Sequence, residues 1–400
     1  MSFDIKAVRA QFPALSDGYA YLDGAAGTQV PQSVIDAIAG AYRGGLGNVG
    51  GEFPASERST AMVAAARQAV ADLVNGDPGG VILGPNMTTL TYRVAYALAK
   101  QWTAADEIVV SRLDHDANVR PWLQAAERAG ATVRWAEPDL ATGELPAAQY
   151  ATLVSERTRL VAVTAASNVL GTRPDVAAIA ATAHDAGALC FVDGVHATAH
   201  GPADMVALGA DFYATSAYKW CGPHIGAIVG RPEVLEGLRP DKLASSPDEV
   251  PERFEAGTAA LADLAGVTAA VEHLAGLDPR ATGSRRARLL ASLGAAEAHE
   301  QELFATMVGE LAALPHVTLY GKPARRTATA YFRVAGYEPD AVAGHLARRR
   351  VNVWSGHNYA WELTGALGIR DSGGAVRAGL VSYSDQSDVD RLLAGVAELA

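Results

Sequence analysis

The chain has 400 residues, of which 49% are apolar and 19% charged, so it is long enough for more than one packed core and too apolar for a disordered chain. Its 44 acidic residues exceed its 33 lysines and arginines, and a net charge of −11 disfavours nucleic acid as a partner because phosphate backbones are also negative. Two cysteines exclude a disulfide scaffold, no apolar segment reaches membrane-spanning length, and we expect no leader because the first residues lack an apolar core of signal-peptide length. We therefore expect a cytoplasmic globular protein.

Short apolar runs alternate with helical patterns between about residue 60 and residue 235. The runs are rich in Val, Ile and aromatic residues, and several are almost continuously apolar, as is typical of strands buried on both faces of a sheet. Alternation of this kind predicts an α/β fold with a mostly parallel seven-stranded sheet covered by helices. The predicted strands are 80–84, 107–111, 132–136, 159–165, 188–193, 212–216 and 227–230.

The pattern changes after about residue 280 and predicts a smaller α+β domain. Its predicted elements are a helix over 283–313, strands over 317–321 and 327–335, a helix over 339–350, strands over 351–354 and 376–383, and a last helix from about residue 387. We therefore expect a large domain of residues 18–275 and a small domain formed by residues 1–17 and 276–400.

Polar side chains follow several of the predicted strands. Ligands of open α/β sheets bind beyond the carboxyl ends of the strands, so we expect these side chains to meet at one edge. They supply an amide, a carboxylate, a hydroxyl, an amine and two imidazoles: His115, Asn168, Asp193, His196, Ser216 and Lys219.

This set of groups matches the needs of pyridoxal 5′-phosphate (PLP). The cofactor requires a lysine amine for its Schiff base and a carboxylate beside its pyridine nitrogen, which Lys219 and Asp193 supply. Its phosphate requires N–H and hydroxyl donors, which Ser216 and the turn of residues 84–88 supply, because that turn leaves a strand and enters a helix. The sequence therefore predicts a PLP enzyme in which Lys219 carries the cofactor.

Longer segments resemble a known family. Residues 215–226 (TSAYKWCGPHIG) resemble the Schiff-base segment of cysteine desulfurase-like proteins, which are class V aminotransferases of the fold type I PLP-dependent group. Residues 191–200 (FVDGVHATAH) resemble the strand that carries that family's pyridine-binding aspartate. Further segments match in the same order along nearly the whole chain: 21–31, 111–122, 166–172, 253–258 and 376–393. The resemblance implies a fold type I transferase that forms a homodimer with shared active sites.

The resemblance also implies a role for individual residues. Lys219 would act as acid and base at the substrate Cα, and Asp193 would hold the pyridine nitrogen. His115 would stack on the cofactor ring and is a second candidate catalytic residue. The other cofactor contacts that it implies are His196, Asn168, Asn86, Met87, Thr88, Ser216 and, from a second subunit, Thr258. The substrate contacts that it implies are Arg377 at the α-carboxylate, with Asn168, Ala26, Gly27 and His357.

One loop departs from the family. Desulfurases carry a nucleophilic cysteine on a loop that reads roughly Gly-His-His-Cys-Ala, whereas residues 356–360 read Gly-His-Asn-Tyr-Ala, so Tyr359 occupies the thiol position. Cys190 lies in a predicted buried strand, and Cys221 lies on a different element. We therefore expect C–S lyase or aminotransferase chemistry on a cysteine or cysteine-conjugate substrate without the persulfide, and Tyr359 is a candidate catalytic residue.

Alternatives stay open at this point. The residues do not choose among transamination, β-elimination, racemisation and decarboxylation. A non-catalytic PLP-fold binding or regulatory protein is the rival hypothesis, and the presence of Lys219, Asp193 and Arg377 argues against it. His196 and His200 have the spacing of a zinc-binding helix, but the sequence lacks the glutamate of that motif, and we expect no metal.

Overall fold

The computed structural model describes residues 3–400 of the chain. Its α-helices are α1 (Ile5–Arg9), α2 (Gln32–Arg43), α3 (Pro54–Val74), α4 (Met87–Ala99), α5 (Arg120–Ala129), α6 (Tyr150–Leu153), α7 (Val176–Asp185), α8 (Pro232–Glu236), α9 (Leu261–Ala275), α10 (Arg285–Ala313), α11 (Pro339–Arg348), α12 (Trp361–Ala366) and α13 (Gln386–Ala397). Its strands are β1 (Ala20–Tyr21), β2 (Val81–Gly84), β3 (Glu107–Ser111), β4 (Thr132–Ala136), β5 (Thr158–Thr164), β6 (Leu189–Asp193), β7 (Phe212–Ser216), β8 (Gly226–Gly230), β9 (Val317–Leu319), β10 (Thr329–Val334), β11 (Val351–Asn352), β12 (Trp354–Gly356) and β13 (Ala375–Gly379). Within residues 3–400, no helix is both long enough and apolar enough to cross a membrane.

The central sheet has seven strands in the order β2-β8-β7-β6-β5-β3-β4. Strands β3 to β7 pair in parallel, and β8 runs antiparallel to both of its neighbours. The sequence-based prediction of a mostly parallel seven-stranded α/β sheet is therefore confirmed. The predicted strand ends agree with the observed ones to within a residue.

Strand burial explains why these runs read as continuously apolar. Ile108 and Val109 are neighbours in β3, and both are fully buried. Ile108 packs in a core with Val94 of α4 and Trp122 of α5, whereas Val109 packs in another core with Val271 of α9. Successive side chains of a strand point to opposite faces, so a sheet covered on both faces requires apolar residues at every position.

The C-terminal part contains a four-stranded antiparallel sheet in the order β12-β13-β10-β9. The single strand predicted over 351–354 is wrong, because Val351 and Asn352 pair with β1 whereas β12 pairs with β13. The strand predicted over 376–383 is too long and ends at Gly379. The Val381 N–H donates instead to the Ser384 hydroxyl, in the turn that leads to α13. The division into domains at residues 17/18 and 275/276 stays a prediction.

Candidate functional site

A cleft opens at the carboxyl edge of the central sheet, where ligands of open α/β sheets bind. Its wall combines groups from the ends of β3, β5, β6 and β7 with the start of α4. The lining residues are Met87, Thr88, His115, Thr164, Ala166, Asn168, Asp193, Val195, His196, Tyr218 and Lys219. The structure therefore brings together most of the cofactor contacts that the sequence predicts.

Lys219 follows β7 in a short 3-10 turn. Its ammonium donates a hydrogen bond to the Ala25 carbonyl and lies 5.5 Å from the centre of the Tyr218 ring. Burial and, to a smaller extent, the positive charge of Arg377 lower the pKa of Lys219 to about 7, against the opposing effect of Asp193. A large fraction of this amine is therefore neutral at neutral pH, which is the state that a nucleophilic or basic lysine needs.

Asp193 is the last residue of β6 and is 4% exposed. Its carboxylate accepts the Val195 N–H at 2.9 Å. Burial raises the pKa of Asp193 to about 6, so the group still carries negative charge at neutral pH. A second buried carboxyl, Asp114, accepts hydrogen bonds at 2.6 Å from the Ser111 hydroxyl and the Asn118 amide, and burial raises its pKa to about 8.

His115 is held as a neutral imidazole. Desolvation, with the nearby positive charges of Lys219 and Arg377, lowers the pKa of His115 to about 3. Its Nδ1 accepts the Ala117 N–H at 3.0 Å, so the ring proton is on Nε2. The ring stacks on Tyr359 with centroids 5.3 Å apart, which leaves His115 as a flat neutral wall of the cleft.

His196 is anchored from behind by the C-terminal sheet. Its Nε2 lies 3.0 Å from the hydroxyl oxygens of both Thr327 and Thr329, and burial lowers the pKa of His196 well below its ordinary value. The His200 ring lies 4.6 Å from the His196 ring, and its Nδ1 is 2.7 Å from a Glu300 carboxylate oxygen. Among residues 3–400, no group of three or more His, Cys, Asp or Glu side chains could hold a metal ion.

The N-terminus of α4 presents donors to the cleft. Asn86 caps the helix by accepting the Thr89 N–H at 2.9 Å, and the Met87 N–H donates to the Ser216 hydroxyl at 3.3 Å. In the described part of the chain the Thr88 N–H has no acceptor. Gly226 lets β8 approach this turn, because a Cβ there would lie 2.2 Å from the Asn86 carbonyl carbon. An anion at this helix end would meet N–H groups and the positive end of the helix dipole.

Arg377 and Asn168 link the C-terminal sheet to the cleft. Arg377 is 5% exposed, and its guanidinium donates to the Asn168 carbonyl at 3.0 Å. The Asn168 amide donates to the Asn358 carbonyl at 2.7 Å. The buried Oδ1 of Asn168 has no hydrogen-bond partner in residues 3–400, so an acceptor at the cleft wall is left for a ligand.

The remaining predicted site residues lie around this wall or away from it. Ala26 and Gly27 belong to the turn beside Lys219, where a Cβ on Gly27 would contact Tyr218. His357 and Tyr359 lie on the loop after β12. Thr258 is exposed and is not part of the cleft wall of its own chain.

Four wall residues and one anchor were not predicted from the sequence. The wall residues are Thr164, Ala166, Val195 and Tyr218, and the anchor is the Ala25 carbonyl. Thr164 could have been found, because it ends β5 at the carboxyl edge of the sheet. The Ala25 carbonyl could not, because a backbone acceptor contributed by a distant segment leaves no signal in residue type.

The groups on the wall fit PLP. A partly neutral lysine, a buried carboxylate, a neutral imidazole wall, an amide oxygen without a partner and a helix N-terminus with a free N–H all face one cleft. These are the amine, the charge partner, the stacking surface and the phosphate donors that this cofactor uses.

Comparisons with known proteins agree with this geometry. The family described as "Aminotransferase class-V" matches residues 20–392. An uncharacterized protein of Mycobacterium tuberculosis (strain CDC 1551 / Oshkosh) is 40% identical, with 100% of both chains covered. A probable cysteine desulfurase of Pseudomonas aeruginosa is 36% identical over 96% of this chain and 95% of the relative. The solved cysteine desulfurase CsdA of Escherichia coli has a TM-score of 0.88 at 31% identity, over 100% of this chain and 99% of the other.

The family match spans almost the whole chain, and the solved cysteine desulfurase shares the fold over nearly its full length. The cofactor predicted from Lys219 and Asp193 is therefore confirmed at the level of the family, as is the resemblance to the cysteine desulfurases. The chain belongs to the class V aminotransferase family and is a PLP-dependent, cysteine desulfurase-like enzyme.

Proposed function

We propose that this enzyme is a C–S lyase that acts on S-substituted cysteines by β-elimination. The net reaction takes the S-substituted cysteine and one water to a thiol, pyruvate and ammonium. The Cα proton leaves, and the C–S bond breaks with both electrons on sulfur, which gains a proton. One observation supports this proposal most directly: the cleft contains Lys219, a partly neutral lysine that can remove the Cα proton, whereas Cys190 and Cys221 are both buried.

Neither cysteine of the chain is suited to accept sulfur. Cys190 is fully buried in β6, and burial raises the pKa of its thiol far above the ordinary range. Cys221 is 2% exposed, and burial raises the pKa of its thiol to about 12. Persulfide formation needs an accessible thiolate, so transfer from free cysteine to a protein thiol is disfavoured. Tyr359 lies against His115, on the loop that carries the nucleophilic cysteine in the desulfurases.

Different residues of the cleft would bind the cofactor, bind the substrate and transfer the proton during elimination. Bound PLP supplies an electron-accepting ring that stabilises negative charge at the substrate Cα. Asp193 would hold its negative charge beside the ring nitrogen, His115 would cover one ring face, and the α4 N-terminus would hold the phosphate. Lys219 removes the Cα proton, and its pKa of about 7 suits a base that works near neutral pH. Arg377, buried and charged, binds the α-carboxylate through a bidentate pair.

We further propose a cytoplasmic homodimer in which Thr258 completes the phosphate site of the neighbouring subunit. The exposure of Thr258 supports this assembly, as do large apolar side chains that are exposed along α2 and the segment after it: Ile35, Tyr42, Val49 and Phe53. The two unpaired cysteines suit a reducing compartment. Sedimentation should give the mass of a dimer. We expect its interface to bury about 2,000 Å² or more, as obligate dimers do. A fully active monomer would contradict it.

Product analysis tests the reaction. The holoenzyme is incubated with free cysteine, S-methylcysteine and S-phenylcysteine, and pyruvate, ammonium, sulfide and thiol are measured. We expect pyruvate and thiol in equal amounts from the S-substituted substrates, and no protein persulfide by mass spectrometry after cysteine treatment. A persulfide on Cys190 or Cys221 that is required for turnover would contradict the proposal. Keto acid that appears only with an added amino acceptor would indicate transamination instead.

A further inference from the structure

A row of aromatic side chains leads from the cleft to the surface. His115 lines the cleft, and the Tyr359 ring stacks on it with centroids 5.3 Å apart. The His357 ring lies 6.0 Å from that of Tyr359 and 5.3 Å from that of Trp361. We call these four residues the aromatic row. Tyr359 is 66% exposed and Trp361 is 40% exposed, so the outer part of the row presents apolar ring surface to solvent at the mouth of the cleft.

The backbone holds Tyr359 in place by several hydrogen bonds. Asn358 and Tyr359 have φ of 48° and 59°, a left-handed conformation that is unfavourable for residues with a Cβ. The Asp116 N–H donates to the Tyr359 carbonyl at 2.8 Å, and the Asn168 amide donates to the Asn358 carbonyl at 2.7 Å. His357 Nδ1 accepts the Tyr359 N–H at 3.0 Å. Because the loop is tied to residues of the cleft wall and its neighbourhood, the Tyr359 ring is preorganised beside the cleft.

Trp354 adds another ring on the Arg377 side. The two residues are directly opposed in the β12–β13 pair, so their side chains project from the same face of the sheet, and Trp354 is 53% exposed. In the proposed reaction Arg377 and Lys219 act on the carboxylate and the Cα of the substrate. The sulfur substituent is then the part of the substrate left to extend toward the exposed rings.

The charges near the outer part of the row are already paired. Glu362, in the first turn of α12, forms ion pairs with Arg112 at 3.0 Å and Arg120 at 2.8 Å. Asp116 pairs with Arg120 at 2.8 Å. Arg370 lies over the Trp361 ring, 4.3 Å from its centre, and pairs with Asp371 at 3.3 Å, so one face of that ring is already covered. The exposed Tyr359 ring remains, and such ring surfaces prefer flat aromatic partners in stacked or edge-to-face contact.

We propose that the aromatic row and Trp354 form a subsite for the sulfur substituent, and that the substrates are S-aryl cysteines. This inference rests on the proposed function, because it concerns the part of the substrate that leaves as the thiol. Tyr359 is then a specificity-determining residue, whose ring contacts the leaving group, at the position where a desulfurase carries its thiol.

Calorimetry on the holoenzyme tests the subsite without turnover. The probes are 3-(phenylthio)propanoate and 3-(methylthio)propanoate, which lack the α-amine and cannot react with the cofactor. We expect the phenyl probe to bind about 10-fold or more tightly, from ring contact and apolar burial. Tyr359→Ala should reduce this ratio to about 2 or less, and Tyr359→Phe should keep it. Tyr337→Ala is the matched control, because Tyr337 is 44% exposed and lies outside the aromatic row.

Two results would overturn the subsite: equal affinity of the native holoenzyme for both probes, or a ratio that Tyr359→Ala does not change. The first needs no variant. The proposed function is judged separately by pyruvate release. Release from S-methylcysteine and S-phenylcysteine at equal kcat/KM, with equal probe affinities, would overturn the subsite and leave the lyase. No release from either, with the probe ratio intact, would overturn the lyase and leave the subsite.

Discussion

The inner wall of the cleft and its mouth differ in how their side chains are held. Asp193 ends β6 and Lys219 follows β7, and burial raises the pKa of Asp193 to about 6 and lowers that of Lys219 to about 7. The outer rings of the aromatic row lie on the loop before α12 and at the first residue of that helix, where hydrogen bonds fix the backbone while Tyr359 and Trp361 stay exposed. Desolvation at the inner wall tunes proton chemistry, whereas exposure at the mouth leaves apolar surface for a ligand. The two regions therefore predict different effects of substitution.

The largest expected effect is at Lys219. We expect Lys219→Ala to lower kcat by about 10⁴-fold or more, because it removes both the covalent attachment of the cofactor and the base at Cα. Steady-state assays of pyruvate release measure this loss. Borohydride reduction of the native enzyme should fix the cofactor to the peptide that contains Lys219. Lys322→Ala is a control outside the cleft. A labelled peptide elsewhere would show that another lysine carries the cofactor.

The second effect concerns stability behind the inner wall. His200 and Glu300 are each 1% exposed, and His200 Nδ1 lies 2.7 Å from a Glu300 carboxylate oxygen, so His200→Ala leaves a buried carboxyl without its partner. We expect the free energy of unfolding to fall by about 3–5 kcal/mol. Denaturant titration measures the change, and Glu302→Ala on the exposed face of α10 is the control. A loss under about 1 kcal/mol would show that the pair contributes little, as exposed pairs do.

The third effect is on KM in an Arg377 variant, which tests whether Arg377 acts in substrate binding or in the chemical step. Arg377→Lys keeps the charge but loses the planar fork that fits a carboxylate, so we expect KM for S-phenylcysteine to rise about 10²-fold with a smaller change in kcat. The exposed Arg348→Lys is the control. A fall in kcat with KM unchanged would assign Arg377 to the chemical step and not to carboxylate binding.

The fourth effect is on the pH dependence of cofactor attachment. Only the neutral Lys219 amine attacks an aldehyde, so the attachment rate in cofactor-free protein should rise with pH and level off above about 7. Arg377→Met removes a positive charge that lowers the pKa of Lys219, so the midpoint should move to higher pH. Timed borohydride quenching across pH measures both curves. A native midpoint near the ordinary lysine value of about 10.4 would contradict the depressed pKa.

The inner wall was largely predictable from the sequence, and the mouth was not. Strands buried on both faces have a clear apolar signature, and the rule that ligands bind at carboxyl ends then places Asp193 and Lys219 together. The order of the strands and the antiparallel direction of β8 depend on long-range pairing, which composition does not reveal. The split of residues 351–356 into two strands has the same origin, because its pairing partners lie in β1 and β13.

Tyr359 shows the limit of such prediction. Its position in the loop identified it as a candidate, yet its contact with His115 depends on left-handed φ values and on hydrogen bonds from Asp116 and Asn168. Asparagine favours such a conformation and tyrosine does not, so residue type did not predict it at Tyr359. Its role as a catalytic residue stays a prediction.

The smallest expected effect is on kcat/KM in Tyr359 variants, which distinguish the contribution of the ring from that of the hydroxyl. The hydroxyl makes no hydrogen bond to any residue in 3–400, whereas the ring stacks on His115 at 5.3 Å. Tyr359→Phe keeps the ring, so we expect kcat/KM for S-phenylcysteine to stay within about 3-fold of native, whereas Tyr359→Ala should lower it about 10-fold through ring contact. A hydroxyl that gives or takes a proton at the leaving sulfur would behave differently, because losing a general acid or base costs about 10²-fold or more. The pH profile of kcat decides between the two roles. If the ring only packs, the profile of Tyr359→Phe keeps the native shape. If the hydroxyl donates a proton, the profile of Tyr359→Phe loses its alkaline limb.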